Sequence, residues 1–171
     1  MAQRQWRKRG AWTPAHWALE LAVFNDSGQI LGTQEIRAKD FAQLREVESS
    51  SWLGVEYQGQ GYGSEMREAI LHLAFDGLGA AYALSASFEA NAASQVVSRK
   101  LGYVPDGIER DSRDGQVLLT HRFRLSLEDW EKRGERPRAQ FAITGLEPCL
   151  ELFGVALPSQ GRKADLLCTG G

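Results

Sequence analysis

The sequence contains few of the residues from which disulfide frameworks and metal sites are built. It has 2 cysteines and 3 histidines among 171 residues. No histidine lies near Cys149 or Cys168, and no secretory signal precedes them, so neither a disulfide scaffold nor a metal site is indicated. We therefore predict a protein without a metal.

Long apolar runs and an excess of one charge are also missing. No stretch approaches the roughly 20 apolar residues of a membrane-spanning helix, and no apolar segment follows the basic start. The formal net charge is −2, which gives no electrostatic reason to expect nucleic acid or an anionic membrane as a partner. We expect a cytoplasmic protein that binds neither.

The composition that remains is that of an ordinary globular domain, with 43% hydrophobic and 25% charged residues. Period-two alternation predicts a strand from Trp17 to Val23, and the turn signal at 25–28 leads to a partner strand at about 29–37. A third strand carries Glu46, Glu48 and Ser50 on one face. A short buried strand at 81–88 and a hairpin around 114–115 follow.

A glycine-rich segment separates the third strand from a helical run that starts at Ser64. Its glycines are Gly59, Gly61 and Gly63. Glycines spaced in this way let the backbone approach a ligand closely, and the following helix adds the positive end of its dipole. The segment is predicted to bind an anionic group such as a pyrophosphate, the alternative being a simple turn.

Two common phosphate-binding motifs do not fit this segment. A nucleoside-triphosphate loop needs a lysine directly after its last glycine, but Ser64 and Glu65 follow Gly63. A dinucleotide loop needs a glycine at the position of Ser64 and an acidic residue at the end of the next strand. The apolar helix that follows the segment is predicted to end near Gly77 and Gly79.

A second helix is predicted after the strand at 81–88. Asn91 is a good N-cap, and Gly102 is well placed to end the helix in a left-handed conformation. Its buried face should consist of Ala93, Val97 and Leu101. Because a strand–helix–strand crossover joins them, the strands before the two helices should be parallel, with a ligand at their carboxyl ends.

Both helix starts carry recognisable motifs. The first is Gln58-x-x-Gly61-x-Gly63, and the second runs from Asn91-x-x-Ser94 to a Lys-Leu-Gly-Tyr sequence at 100–103. Together and in this order, they resemble the acetyl-CoA motifs of the GCN5-related N-acetyltransferases (GNAT). The resemblance extends from about Trp17 to Trp130 and is closest to the branch that acetylates ribosomal-protein N-termini.

The resemblance implies an α/β (α+β) fold with a mixed, mainly antiparallel sheet, in which two parallel strands splay apart between flanking helices. It also implies that the first strand and helices of the family are missing here, which would leave the strand at Trp17 as an open sheet edge that a second copy could pair with. We assign 1–132 to the acetyltransferase domain, 133–157 to an extension and 158–171 to a disordered tail.

The resemblance further implies how acetyl-CoA would be held. Backbone groups of Leu53 and Val55 pair with the pantetheine amides, the N–H groups from Gln60 to Ser64 bind the pyrophosphate, and Gln58 supports the loop. Asn91 contacts the pantetheine or the pyrophosphate side or only caps its helix, and Arg99 or Lys100 meets the 3′-phosphate. The predicted cofactor residues are Leu53, Val55, Gln58, Gly59, Gln60, Gly61, Tyr62, Gly63, Ser64, Asn91, Arg99 and Lys100.

The catalytic groups are less regular than the binding motifs. Many relatives carry a tyrosine acid where this chain has Ser98, and the resemblance implies that Ser94 serves instead. Glu48, with Glu46 beside it, and Asp111 are the candidate bases, and ordered water is the alternative to all of them.

We therefore predict an N-acetyltransferase that moves an acetyl group from acetyl-CoA to a primary amine, either a protein N-terminus or a small amine. The alternative is a non-catalytic acyl-CoA-binding or interaction module, which the missing front and the absent tyrosine favour.

Overall fold

A six-stranded mixed sheet organises the fold. The computed structural model describes residues 10–133 and 141–156. The spatial order of the strands is β1-β2-β3-β4-β6-β5. In chain order they are β1 (His16–Phe24), β2 (Ile30–Lys39), β3 (Glu46–Leu53), β4 (Tyr82–Phe88), β5 (Val104–Arg113) and β6 (Gln116–Ser126).

The helices are short and connect the strands. They are α1 (Phe41–Leu44), α2 (Tyr62–His72), α3 (Ala92–Lys100) and α4 (Leu127–Lys132), with a π-helical turn at Leu73–Gly77 and 3-10 turns at Val55–Tyr57 and Glu147–Phe153. No helix in the described ranges has both the length and the apolar composition needed to cross a membrane.

The sheet confirms the predicted architecture. Only β3 and β4 run parallel, and every other neighbouring pair is antiparallel. The parallel pairing extends from Glu46 opposite Tyr82 to Ser49 opposite Ser85 and then stops. Beyond this point β3 stays paired with β2, and β4 with β6. The two parallel strands therefore separate towards their carboxyl ends.

The two edges of the described sheet are β1 and β5. In the described part of the chain the strand at Trp17 is an edge strand, while the missing front from which we expected this stays a prediction. Trp17 itself is 1% exposed, because its ring packs against Phe41 and Phe153. The largest side chain of this edge strand is therefore buried in the core.

Helix α2 differs from its prediction at its end. The sequence suggested one amphipathic helix as far as Gly77, but the α-helical hydrogen bonding stops at His72 and a wider π-helical turn follows. A Cβ atom at Gly77 would lie 2.8 Å from Leu146 of the C-terminal segment. The helix thus ends against a segment that is distant in sequence, which local patterns do not reveal.

One predicted burial pattern, that of helix α3, is wrong. Asn91 caps the helix by accepting a hydrogen bond from the Ser94 N–H at 3.1 Å, and Gly102 has a φ of +84°, both as predicted. Ala93, however, is exposed, while Gln95 and Ser98 are buried. The helix is rotated relative to the predicted orientation because the Gln95 amide donates to the carbonyl groups of residues 88 and 89.

The core lies between one face of the sheet and helices α2 and α3, and residues 141–156 close it near β1. The Trp17 indole N–H donates to the Phe153 carbonyl at 3.1 Å, and the Trp12 indole N–H donates to the Leu152 carbonyl at 2.8 Å. The predicted linker at 133–138 and tail at 158–171 lie almost entirely outside the described residues. The proposed domain boundaries therefore stay predictions.

Candidate functional site

The glycine segment joins β3 to α2 at the end of the sheet where β3 and β4 have separated. Gly59 and Gly61 have φ angles of +74° and +96°, which residues with a Cβ rarely adopt. Gly61 is also the residue that precedes α2. The two glycines thus allow the chain to turn sharply into the helix.

The N–H groups of this segment form a row without acceptors. From Gly59 to Gly63 none of them donates a hydrogen bond within the described chain. The Ser64 N–H, which was also expected to bind phosphate, instead donates to the Gly61 carbonyl at 2.9 Å because it tightens the first helical turn. Such a row at a helix N-terminus favours an anion.

Two glutamine side chains hold the loop from behind. The Gln58 amide donates to the Leu53 carbonyl at 3.2 Å, and the Gln60 amide donates to the Glu56 carbonyl at 2.8 Å. The Gln58 N–H also donates to the Val55 carbonyl at 3.3 Å. Gln58 therefore has contacts of the supporting kind that the sequence suggested.

Helix α3 begins at the carboxyl end of β4, beside the loop at the end of β3. The Asn91 carboxamide oxygen is used in capping, and Asn91 is exposed, so its amide N–H groups face solvent. Ser94 is half-buried in the first turn. Arg99 and Lys100 lie eight and nine residues after Asn91, about 12 to 14 Å away along a helix. Arg99 also donates to Gln95 at 3.2 Å.

The predicted bases do not share one location. Glu48 lies in the paired part of β3 and is bound by Arg37, with N–O distances of 2.5 and 3.1 Å. Glu46 accepts from Arg124 at 2.8 Å. Asp111 is exposed on β5 and accepts from the Ser112 N–H at 2.7 Å. Asp111 pairs with Leu118 of the neighbouring strand β6, and Leu118 lies beyond the part of β6 that pairs with β4. Asp111 is therefore at the same end of the sheet as the loop.

Arg37 lies on the face of the sheet that carries the ion pairs of Glu35, Glu46 and Glu48, which we call the charged face. Partial burial acts to lower the pKa of its guanidinium, but hydrogen bonding and charge attraction from Glu48, and then from Glu35, outweigh burial and raise that pKa. By strand alternation this face is opposite to the one that carries Ser49 and Ser51. The structure therefore separates Glu48 from the residues under α2.

A buried cation under α2 was not among the predicted site residues. Arg67 is 3% exposed, and it donates to the Ser85 hydroxyl at 2.8 Å and to the Ser51 hydroxyl at 3.1 Å. Tyr103 is nearby, and its buried phenol lies close to Ser49 and Arg67. A sequence signal did exist, since Arg67 stands three residues before Ile70 and seven before Ala74 on the apolar stripe of the helix.

A large, mainly apolar cavity does not coincide with the loop. It has a volume of about 910 Å³ and lies between β1, α2 and the C-terminal segment, lined by residues such as Leu21, Ile70 and Ile143. The anion-binding features are elsewhere, so we assign the candidate site to the loop. No group of three potential metal ligands occurs in the described ranges.

Comparison with protein-family models decides what kind of domain carries this loop. Residues 1–104 match the model of the acetyltransferase (GNAT) domain. The chain belongs to this family. It is accordingly an acyltransferase, of a family that uses acetyl-CoA as co-substrate and transfers acetyl groups to amines.

Solved structures agree on the fold. A variant of the spermidine N-acetyltransferase SpeG from Vibrio cholerae has a TM-score of 0.67 at 15% identity, covering 78% of this chain and 78% of that chain. A dodecameric form of spermidine N-acetyltransferase from the same organism gives 0.62 at 18% identity, covering 69% and 70%. A Vibrio cholerae protein provisionally assigned as a ribosomal-protein-serine acetyltransferase gives 0.60 at 22% identity, covering 72% of each.

Proposed function

We propose that this GNAT domain binds acetyl-CoA at the glycine segment and transfers the acetyl group to a primary amine. The observation that carries the proposal is the row of five N–H groups without acceptors, from Gly59 to Gly63, at the start of α2. An uncompensated row of donors beside a helix N-terminus is suited to the pyrophosphate of a nucleotide.

Gly63 supports this proposal independently. Its φ angle does not require glycine, and a Cβ atom placed there would meet no atom of the chain within 4 Å. Glycine inside a helix costs about 1 kcal/mol relative to alanine. A residue that neither backbone geometry nor internal packing explains is accounted for by a ligand that approaches the backbone closely.

For the remaining binding residues we propose the following roles. Leu53 and Val55 offer backbone groups to the pantetheine amides, the Asn91 amide N–H groups reach the same ligand, and Arg99 or Lys100 pairs with the 3′-phosphate. Asn91 can cap α3 and donate at the same time, because capping uses only its oxygen.

For the chemistry, we propose that Ser94 donates the proton to the departing sulfur. Asp111 is the best placed of the three candidate bases, because it lies at the loop end of the sheet. Glu48 is held by Arg37, and Glu46 by Arg124, in the paired region. An amine can also lose its proton to ordered water.

A second candidate function is acyl-CoA binding without catalysis. Ser98, at the position of the usual tyrosine acid, is fully buried and its hydroxyl has no hydrogen-bond partner. A side chain so placed cannot reach a substrate.

Calorimetric titration with acetyl-CoA and with dephospho-CoA tests the proposed function, with an acetylation assay in parallel. The acceptors in the assay are a polyamine and a peptide with a free N-terminus, the two classes that the names of the structural neighbours suggest. Micromolar binding that weakens without the 3′-phosphate, together with turnover, supports the enzyme. Binding without turnover on any amine supports the second candidate, and no binding by the folded chain overturns both.

We further propose that the exposed edge of β1 pairs with β1 of a second copy. Light scattering that shows only monomer would contradict this assembly.

A further inference from the structure

Arg67 is a buried charge for which the described residues provide no counterion. Only 3% of the residue is exposed, and its hydrogen-bond partners are the neutral hydroxyls of Ser85 and Ser51. The Nε atom has no hydrogen-bond partner in the described ranges. A buried charge that is not paired with an opposite charge is expensive. Fold stability alone therefore gives little reason for an arginine here.

The guanidinium spans the point where the two parallel strands separate. Ser85 belongs to the last pair that joins β4 to β3, and Ser51 lies two residues beyond that pair on β3. Ser85 is buried and Ser51 is exposed. A continuous polar connection thus runs from the buried guanidinium to the surface of the gap, on the strand that leads through Leu53 into the glycine segment.

The groups around Arg67 are arranged to receive negative charge. Each serine oxygen accepts a hydrogen bond from Arg67, which leaves the hydroxyl hydrogen of that serine free to be donated in a hydrogen bond elsewhere. Burial raises the pKa of the Tyr103 phenol, and the nearby Arg67 charge offsets only part of this effect. Tyr103 therefore stays neutral. A cation and three hydroxyl donors together favour an anion and disfavour an ammonium group.

We propose that this Arg67–Ser51–Ser85 cluster stabilises the negative charge that develops on the sulfur of CoA during acetyl transfer. The inference rests on the proposed function, which brings acetyl-CoA to the gap between β3 and β4. During transfer the amine nitrogen forms a bond to the acetyl carbon and the carbon–sulfur bond breaks. The bonding pair leaves on sulfur, which then takes the proton of the Ser94 hydroxyl, and the proton of the amine passes to Asp111 or to water. Ser94 regains a proton from solvent.

The two kinds of residue have different roles in this proposal. The Ser51 hydroxyl is the exposed donor that would touch the sulfur. Arg67 acts through Ser51 and is a positioning residue, because its charge polarises the hydroxyl and fixes its orientation. This arrangement would supply part of the stabilisation of the leaving sulfur that a tyrosine at position 98 provides in many relatives.

The test compares Arg67→Met, Arg67→Lys and Ser51→Ala with the wild type, and Arg110→Met on the exposed part of β5 serves as the matched control. The first readout is the pKa of the CoA thiol in the complex, followed through the ultraviolet absorbance of the thiolate. Steady-state kinetics with acetyl-CoA and thermal unfolding are the second and third.

We expect Ser51→Ala, which removes the donor itself, to raise the pKa of the bound thiol and to lower kcat about 100-fold, as the loss of a transition-state donor does. KM should change little, and stability should not change because Ser51 is exposed. Arg67→Met should shift both readouts in the same direction, with a fall in kcat of about tenfold, and Arg67→Lys should keep most of the wild-type thiol pKa because it keeps the charge. Arg67→Met should unfold at the same temperature as the wild type or higher.

An unchanged thiol pKa and unchanged kcat in both Arg67→Met and Ser51→Ala would overturn this inference while leaving the proposed function intact. If Arg67→Met does not fold, Ser51→Ala decides alone, with the same two readouts. Failure of the wild-type protein to bind CoA would instead overturn the proposed function, and this inference with it.

Discussion

The charged face around Arg37 and the loop end of the sheet differ in whether their polar groups have partners. On the charged face, Arg37 is paired with Glu48 and Glu35, and Arg124 with Glu46 and Asp106. At the loop end, the N–H groups from Gly59 to Gly63 have no acceptor and Arg67 has no counterion among the described residues.

This difference separates structural groups from binding groups. Charges that already have partners gain little from a ligand and contribute modestly to stability, because surface ion pairs are worth about 0 to 1 kcal/mol. Hydrogen-bond donors that lack acceptors in the protein can gain them when a ligand binds. The loop end is therefore where a ligand would have the largest effect, and Glu48 is a weaker candidate base than its position in the sequence suggested.

The largest effect is expected from a substitution of Gly63 in the loop. Gly63→Asp places a carboxylate beside the row of N–H groups, and juxtaposing like charges costs several kcal/mol. We expect the affinity for acetyl-CoA to fall at least about 100-fold, measured by calorimetry. Gly61→Asp should act in the same direction. Gly10→Asp is the control, since a Cβ atom at Gly10 also meets nothing, and equal affinity in all three proteins would contradict the loop assignment.

Ser94→Ala tests whether the start of α3 takes part in chemistry. A general acid contributes about 100-fold or more, so we expect kcat to fall by that order while the affinity for acetyl-CoA stays the same. The Ser94 N–H still donates to Asn91 in this variant, which preserves the cap. Unchanged turnover would restrict Ser94 to a structural role.

Glu48→Gln tests whether Glu48 is a structural partner of Arg37 or the catalytic base. If Glu48 serves mainly as a partner of Arg37, the variant should lose less than about 1 kcal/mol of stability and change kcat less than about threefold. Urea unfolding and the acetylation assay measure both. A loss of turnover of 100-fold or more, as removal of a general base produces, would make Glu48 the base.

Tyr103→Phe has the smallest expected effect. The phenol pKa is raised in the folded protein, so the folded state retains this proton at a pH where the unfolded chain has lost it. Stability is therefore unaffected below pH of about 10 and falls above it, as the unfolded chain ionises. Tyr103→Phe should reduce this alkaline loss in unfolding experiments, and an identical pH profile would contradict the burial argument.

Much of the fold was readable from local patterns. Alternation located β1, turn signals located the hairpins, and the crossover rule made β3 and β4 parallel. The glycine motif and the Asn91 cap were equally local, since each depends on the conformation of a few consecutive residues. Motifs of this kind also carried the family resemblance.

The errors arose where distant segments meet. Ala93 was predicted to be buried, but carbonyl groups at the end of β4 bind Gln95 and set the rotation of α3. The end of α2 depends on Leu146, nearly 70 residues further along the chain. The ion pair that holds Glu48 requires β2 and β3 to lie in one particular register.

The sequence by itself determined the loop, the caps, the strands and the family, because these follow from conformational preferences that act over a few residues. Only the tertiary structure decided which polar groups have partners. The position of Arg67 on the apolar stripe of α2 indicates burial, but only packing shows that Arg67 lies between hydroxyls and Arg37 between carboxylates. The satisfaction of a charge depends on groups brought together from several strands and helices, and no local pattern encodes it.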